Sequence, residues 1–146
     1  METMKITLLR PNGVLPRRAT GGAAGYDLAA ALDAPVRVEQ GKVVLIPTGV
    51  AIALTPGYGA LVLGRSGLGI RYGVAPVNAV GLIDSDYRGE IMVGLTCHLA
   101  AGYTIQPGER VAQLVVIPVA LPQLEQVDQL DDTARGGGGF GSSGTL

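Results

Sequence analysis

The stretch Lys42-Val-Val-Leu-Ile-Pro-Thr-Gly-Val-Ala-Ile-Ala-Leu54 decides the fold class. Apolar residues run without a charge on either side of Pro47–Gly49, at strand length and rich in β-branched Val and Ile, so the stretch reads as two strands joined by a tight turn. The same pattern continues in both directions. Ile6–Leu9, Ala60–Leu63, Ala79–Ile83, Glu90–Thr96 and Val111–Val119 are short apolar runs punctuated by Gly or Pro. Only Gly67–Tyr72 reads as a helix, and a short one. Strands at this regular spacing predict an all-β, jelly-roll-like or sandwich domain and argue against a doubly wound α/β fold.

Composition agrees. A chain of 146 residues with 23 Gly and 9 Pro has the length of a single domain and too many breakers for long helices. With 47% hydrophobic residues and a net charge of −1 it is expected to fold, and it lacks the basic excess of a nucleic-acid-binding surface. The one cysteine, Cys97, excludes a disulfide within the chain and predicts a reducing, cytoplasmic setting. The one histidine, His98, excludes the usual Cys/His zinc site within one chain. No run reaches 18 apolar residues and Met1–Pro16 has no apolar leader, so no membrane partner is expected.

The last twelve residues, Arg135-Gly-Gly-Gly-Gly-Phe-Gly-Ser-Ser-Gly-Thr-Leu146, differ in kind. Ordering each backbone unit costs ~1–2 kcal/mol. The buried side chains of Phe140 and Leu146 return only ~1.5–3 kcal/mol each, so alone this segment is expected to be mobile. The chain therefore divides into a β-domain, residues 1–134, and a flexible segment, residues 135–146. Glycines free of Cβ let amide N–H groups crowd an anion. Arg135 adds a fork-shaped cation, Ser142 and Ser143 add hydroxyls, and Phe140 could stack on a flat base. Together they describe a lid for a phosphorylated nucleotide; taken without Arg135 and Phe140, the segment is an ordinary terminal linker.

Four further segments carry polar groups inside apolar surroundings. Gly64-Arg-Ser-Gly-Leu-Gly69 ends a strand with a guanidinium, a hydroxyl and free N–H groups, an anion site or a plain β-turn. It is neither a Walker loop nor a nucleophile elbow. In Asn78-Ala-Val-Gly-Leu-Ile-Asp-Ser-Asp-Tyr-Arg-Gly-Glu90, Asp84 and Asp86 face the same way if extended, and a carboxylate ending a buried strand can act as a general base; Asp-Ser-Asp is also common turn chemistry. Asp27, in Ala24-Gly-Tyr-Asp-Leu28, is costly to bury unless it meets a cation or hydrogen-bond donors. Gln113, in Gly108-Glu-Arg-Val-Ala-Gln-Leu114, needs amide partners inside an apolar strand.

These five segments in this order resemble the homotrimeric dUTPase family: AGYDLAA from Ala24, RSGLG from Arg65, GLIDSDYRGEI from Gly81, GERVAQLV from Gly108 and RGGGGFGSSG from Arg135. The resemblance implies a β-clip, jelly-roll-like fold with one short helix and a flexible Gly-rich C-terminal tail. It implies a homotrimer with shared active sites that hydrolyses dUTP to dUMP and pyrophosphate with Mg²⁺, keeping uracil out of DNA and supplying dUMP for thymidylate synthesis.

By the same resemblance, Asp84 activates the water that attacks the α-phosphorus, and Tyr87 packs under the deoxyribose. Asn78, with the main chain of Gly81 and Ile83, reads the uracil edge. Arg65, Ser66, Gly67 and Gln113 contact phosphates, and Asp27 reaches the metal through water. Arg135, Phe140, Gly141 and Ser142 form the lid. Two positions depart from the family pattern. Gly64 replaces a usual Pro and is expected to loosen the turn before Arg65, while Cys97 replaces a frequent Asn. The related dCTP deaminase shares the trimeric fold but needs a catalytic Glu in another hairpin, and a non-catalytic nucleotide-sensing trimer would not need all five motifs.

Overall fold

The computed structural model describes residues 3–139. The two runs that flank Pro47–Gly49 form separate strands, β4 (Val44–Pro47) and β5 (Val50–Ala53), belonging to different sheets. Around them lie β1 (Lys5–Leu8), β2 (Tyr26–Ala29), β3 (Val36–Val38), β6 (Tyr58–Gly64), β7 (Val74–Pro76), β8 (Val80–Ile83), β9 (Met92–Cys97), β10 (Tyr103–Ile105) and β11 (Arg110–Pro118). One helix, α1 (Ser66–Tyr72), follows β6. The strands pair antiparallel into small sheets of order β1-β5, β10-β3, β4-β9-β7 and β2-β11-β6-β8. The all-β expectation with a single short helix holds.

The inward faces meet in one core built on Leu28, Val38, Ile46, Val50, Leu95, Ile105, Val111 and Leu114, all essentially without solvent contact. Burying such a side chain contributes about 1.5–3 kcal/mol. The longest strand, β11, is the axis of the largest sheet: it pairs with β2 on one side and β6 on the other. Thr48 is the buried polar exception between β4 and β5. Its hydroxyl donates to the Ile91 carbonyl at 2.6 Å and accepts from the Val50 N–H at 3.3 Å.

Four strands had no counterpart in the apolar runs: β2, β3, β7 and β10. Each has three or four residues with a polar side chain or proline among them (Asp27, Arg37, Pro76, Thr104), and each is held by its pairing partner. The Asp84–Asp86 segment also differs from the extended reading. Strand β8 ends at Ile83, is half-buried at the edge of its sheet, and hands over to a turn at Ser85–Asp86. Asp84 therefore stands exposed beyond an edge strand, where the chain turns without a side-chain hydrogen bond from Asp84 among the described residues. At Gly64 the carbonyl accepts a hydrogen bond from Gln113 Nε2 at 2.9 Å, and a Cβ there would sit 3.1 Å from Pro76 Cδ. Cys97 is buried, with its thiol donating to the Tyr72 carbonyl at 3.2 Å.

Beyond Pro118 the described chain joins no sheet. Along it Leu121, Leu124, Val127 and Leu130 recur every third residue, all exposed, Leu124 to 98%. Among the described residues, no helix is long and apolar enough to cross a membrane.

Candidate active site

The polar residues gather at two ends of strand β6. At its C-terminal end, Asp27 on β2 lies opposite Gln113 on β11, which in turn lies opposite Leu63 on β6. The carboxylate is half-buried and doubly paired: Arg65 Nε reaches Oδ1 at 3.0 Å and Arg110 Nη1 reaches Oδ2 at 2.9 Å. Arg65 Nη1 also donates to the Arg110 carbonyl at 3.0 Å, which closes the cluster. A register shift between Arg110 and Ala112 brings Arg110 to the face of Gln113; in a regular strand, residues three apart point to opposite sides.

Gln113 meets its need for partners through Gly64, and Gly25 makes this fit. A Cβ at position 25 would stand 2.8 Å from Gln113 Oε1. The glycine of the AGYD segment is thus an allowance for the amide. Ser66 and Gly67 open α1, exposed, and the first N–H groups of a helix have no partner within it. Two guanidiniums against one carboxylate leave this end positive, as phosphate binding requires.

Strand β8 runs antiparallel along β6 with Val80 opposite Leu63 and Ile83 opposite Ala60, so its turn at Asn78 lies near the Arg65 end and Asp84 lies at the other end. Asn78 begins a tight turn in which Ala79 takes φ +61°, a left-handed conformation costing a non-glycine residue roughly 1–2 kcal/mol. The Val80 N–H bonds the Asn78 carbonyl at 2.7 Å, and Gly81 packs against Val62, with Asn78 Nδ2 3.6 Å from where its Cβ would lie. Past Ile83, Asp84 and Tyr87 help line a cleft of about 230 Å³ shared with Leu82, Glu90 and Ile91. That is below the roughly 300–1,000 Å³ usual for a small-molecule site. Asp84 has no side-chain hydrogen bond or ion pair among the described residues.

The two ends do not meet within one chain. Ile83 pairs with Ala60, so Asp84 lies beside Gly59, whereas Arg65 is six residues further along; at ~3.4 Å per residue they stand roughly 20 Å apart. A third group, Arg135, is exposed on the arm beyond the sheets, its Nε donating to the Gly138 carbonyl at 2.9 Å. Phe140, Gly141 and Ser142 lie outside the described residues.

Sequence reasoning marked Asp27 and Gln113 as needing partners, which the structure supplies, and missed Arg110. The signal was the costly Asp27 itself, because a carboxylate wanting cations implies more than the one already in view. It also missed Glu90, whose carboxyl is held below the ordinary carboxylate range chiefly by the hydrogen bond from Arg10, with a further bond from the Gly49 N–H. Among the described residues no group of His, Cys, Asp and Glu could cage a metal. The donor set fits a cation carried by phosphate oxygens and retained waters, which is how Mg²⁺ is usually held.

A β-domain with a positive cradle at one end of β6 and, at the other, a carboxylate without a partner among the described residues offers an anion site and a free base. A profile of the dUTPase family matches residues 12–144. The chain is 49% identical over 142 residues to a deoxyuridine 5′-triphosphate nucleotidohydrolase of Burkholderia cenocepacia, covering 97% of this chain and 96% of that one. It is 52% identical over 132 residues to the protein of the same name in Hahella chejuensis, covering 90% and 87%. Among solved structures, the dUTPase of Staphylococcus bacteriophage 80alpha with dUPNHPP superposes with a TM-score of 0.91 at 29% identity, covering 99% of this chain and all of that one. A dUTPase from phage phi11 of S. aureus, described with a structural Mg(II) ion, gives a TM-score of 0.80 at 27% identity over 88% of this chain and 98% of its own. The chain belongs to the dUTPase family and is by that membership an enzyme of dUTP hydrolysis, a dUTP diphosphatase.

Proposed function

We propose that the chain assembles as a homotrimer whose active sites are shared between copies, and that each site converts dUTP to dUMP and pyrophosphate. The observation that carries this reading is the separation of the two ends of β6: Asp84 can stand beside the phosphates held at Arg65 only if the two come from different chains. The apolar arm supports it, since four exposed large side chains on unpaired backbone gain most from lying on another copy.

In this reading Arg65, Ser66, Gly67 and the remaining N–H of Gln113 hold the phosphates. Asn78 and the main chain of Gly81 and Ile83 hold the uracil edge, and the Tyr87 ring lies under the deoxyribose. The carboxylate of Asp84 takes a proton from a water whose oxygen attacks the α-phosphorus. The bond from that phosphorus to its bridging oxygen breaks, and the oxygen leaves with pyrophosphate. Mg²⁺ bound to the triphosphate would neutralise charge, held from the protein side through water on the free lone pairs of Asp27. Positioning and charge neutralisation supply most of the acceleration, so no nucleophilic side chain is needed.

Arg135, Phe140, Gly141 and Ser142 close over the ligand as a lid and exclude bulk water. The product dUMP is a thymidylate precursor, and removing dUTP keeps uracil out of DNA. The absence of a cysteine pair fits a cytoplasmic setting.

Mixed assemblies test the reading. Asp84→Asn chains and Ser66→Asp chains are each expected to be inactive as pure trimers, the first for want of a base and the second through repulsion of phosphate. Refolded together, they are expected to regain dUTP hydrolysis, because some sites then take Ser66 and Asp84 from intact segments of different chains. No recovery in trimers shown to be mixed would refute the shared site.

A further inference from the structure

The loop from Asp84 to Ile91 carries both Asp84 and Tyr87, and no strand ladder holds it. Its grip is at its far end. Arg10 Nε and Nη2 donate to the two carboxylate oxygens of Glu90 at 2.7 and 3.0 Å, and the Gly49 N–H donates to Oε1 at 2.8 Å. Next to it, the Ile91 N–H donates to the Val50 carbonyl at 2.8 Å. Tyr87 Oη donates to the Glu90 carbonyl at 2.9 Å. The ring thereby folds back over Gly89, so closely that a Cβ at position 89 would collide with Tyr87 Oη. The tyrosine ring is therefore referenced to the main chain of Glu90, and that main chain is fixed through the Glu90 carboxylate to a residue 80 positions away.

We propose that the Arg10–Glu90 pair is a positioning device that sets the Tyr87 ring, and through it the preference of the site for a 2′-deoxyribose over a ribose nucleoside triphosphate. The inference rests on the reading of Tyr87 as the floor under the sugar. A bidentate guanidinium–carboxylate pair fixes direction as well as distance, which one bond to an ammonium does not. Rejecting a single added hydroxyl demands such a fixed floor, because a ring free to drop makes room for it. The hydrogen bond from Arg10 lowers the Glu90 carboxyl further below its ordinary value, and both partners are charged at neutral pH.

Full-length Arg10→Met, Arg10→Lys, Glu90→Gln, the Arg10→Met/Glu90→Gln double variant and Tyr87→Ala, each checked by thermal melting, are assayed for kcat and KM with dUTP and UTP. In Arg10→Met the ratio of kcat/KM for dUTP over UTP is expected to fall about tenfold, chiefly through a lower KM for UTP and with kcat for dUTP unchanged. Glu90→Gln should fall with it, the double variant no further, and Arg10→Lys should recover part of the ratio. Arg10 is 43% exposed, so Arg10→Met is expected to fold and decides the matter even if Glu90→Gln does not. If Arg10→Met melts lower but keeps the ratio, the pair is structural only and the proposal is overturned, while a collapsed ratio in Tyr87→Ala leaves the sugar-floor reading standing. If Tyr87→Ala itself keeps the ratio, that reading falls and this proposal with it.

Discussion

The two ends of strand β6 are built on opposite principles. At the Arg65 end the principal groups already hold one another: Asp27 binds two guanidiniums, Gln113 binds Gly64, and Arg65 binds the Arg110 main chain. At the Asp84 end the carboxylate is exposed and has no partner among the described residues, and the loop carrying it hangs from an edge strand. The difference follows the work each end does. Binding a polyanion rewards a cradle whose geometry exists beforehand, because less ordering entropy is lost on binding. A base must instead offer a free lone pair to water, so pairing it in advance would defeat it.

The comparison breaks most sharply at Asp84. Asp84→Asn is expected to lower kcat for dUTP by about 100-fold or more, the scale of a lost general base, while calorimetry shows dUPNHPP still binding. Equal turnover would mean that the unpaired carboxylate has no part in the chemistry. Ending the chain at Ala134 comes next. The truncated protein should keep its melting temperature, because residues 135–139 join no sheet, yet lose roughly tenfold or more in kcat/KM as the closing segment goes. Unchanged kinetics would remove the lid role.

Acid titration sharpens the contrast further. The Glu90 carboxyl lies below its ordinary value of 4.5, chiefly through Arg10, so its contribution to stability is complete above that value and is lost as pH falls through the lower folded value. Chemical denaturation from pH 6 down to pH 3 should therefore show an acid loss in the parent that shrinks in Glu90→Gln. A difference between the two that stays constant with pH would contradict the pairing. The smallest effect belongs to the hairpin: Ala79→Gly should relieve the left-handed alanine and raise stability by no more than about 1 kcal/mol, read from the urea midpoint. A loss instead would mean that Ala79 packs against something that outweighs its conformation.

Much of this molecule could be read from residues alone. The strands β5, β6, β9 and β11 announced themselves as apolar runs, and α1 lay within a residue of its expected span. Strands β2, β3, β7 and β10 did not, because three or four residues broken by a polar side chain or proline, such as Val36–Val38 with Arg37, gain their structure from the partner across the ladder, not from their own pattern. The site divides the same way. Asp27 and Gln113 were visible as polar residues in apolar company. Arg110 was hidden because its approach to Asp27 depends on a bulge, and Arg10 because its partner lies 80 residues on. Asp84 was legible as a residue but not in its setting, since the edge position of β8 is a property of the sheet.

The absence of a side chain at Gly25 reaches well beyond its own strand. A methyl group there would push the Gln113 amide off the Gly64 carbonyl, just where the chain bends toward Arg65. Positions 25 and 113 are thus coupled: in a library randomised at both, larger residues at 25 should be enriched beside a shortened residue at 113, and survivors should show slackened triphosphate affinity with a core that melts as before.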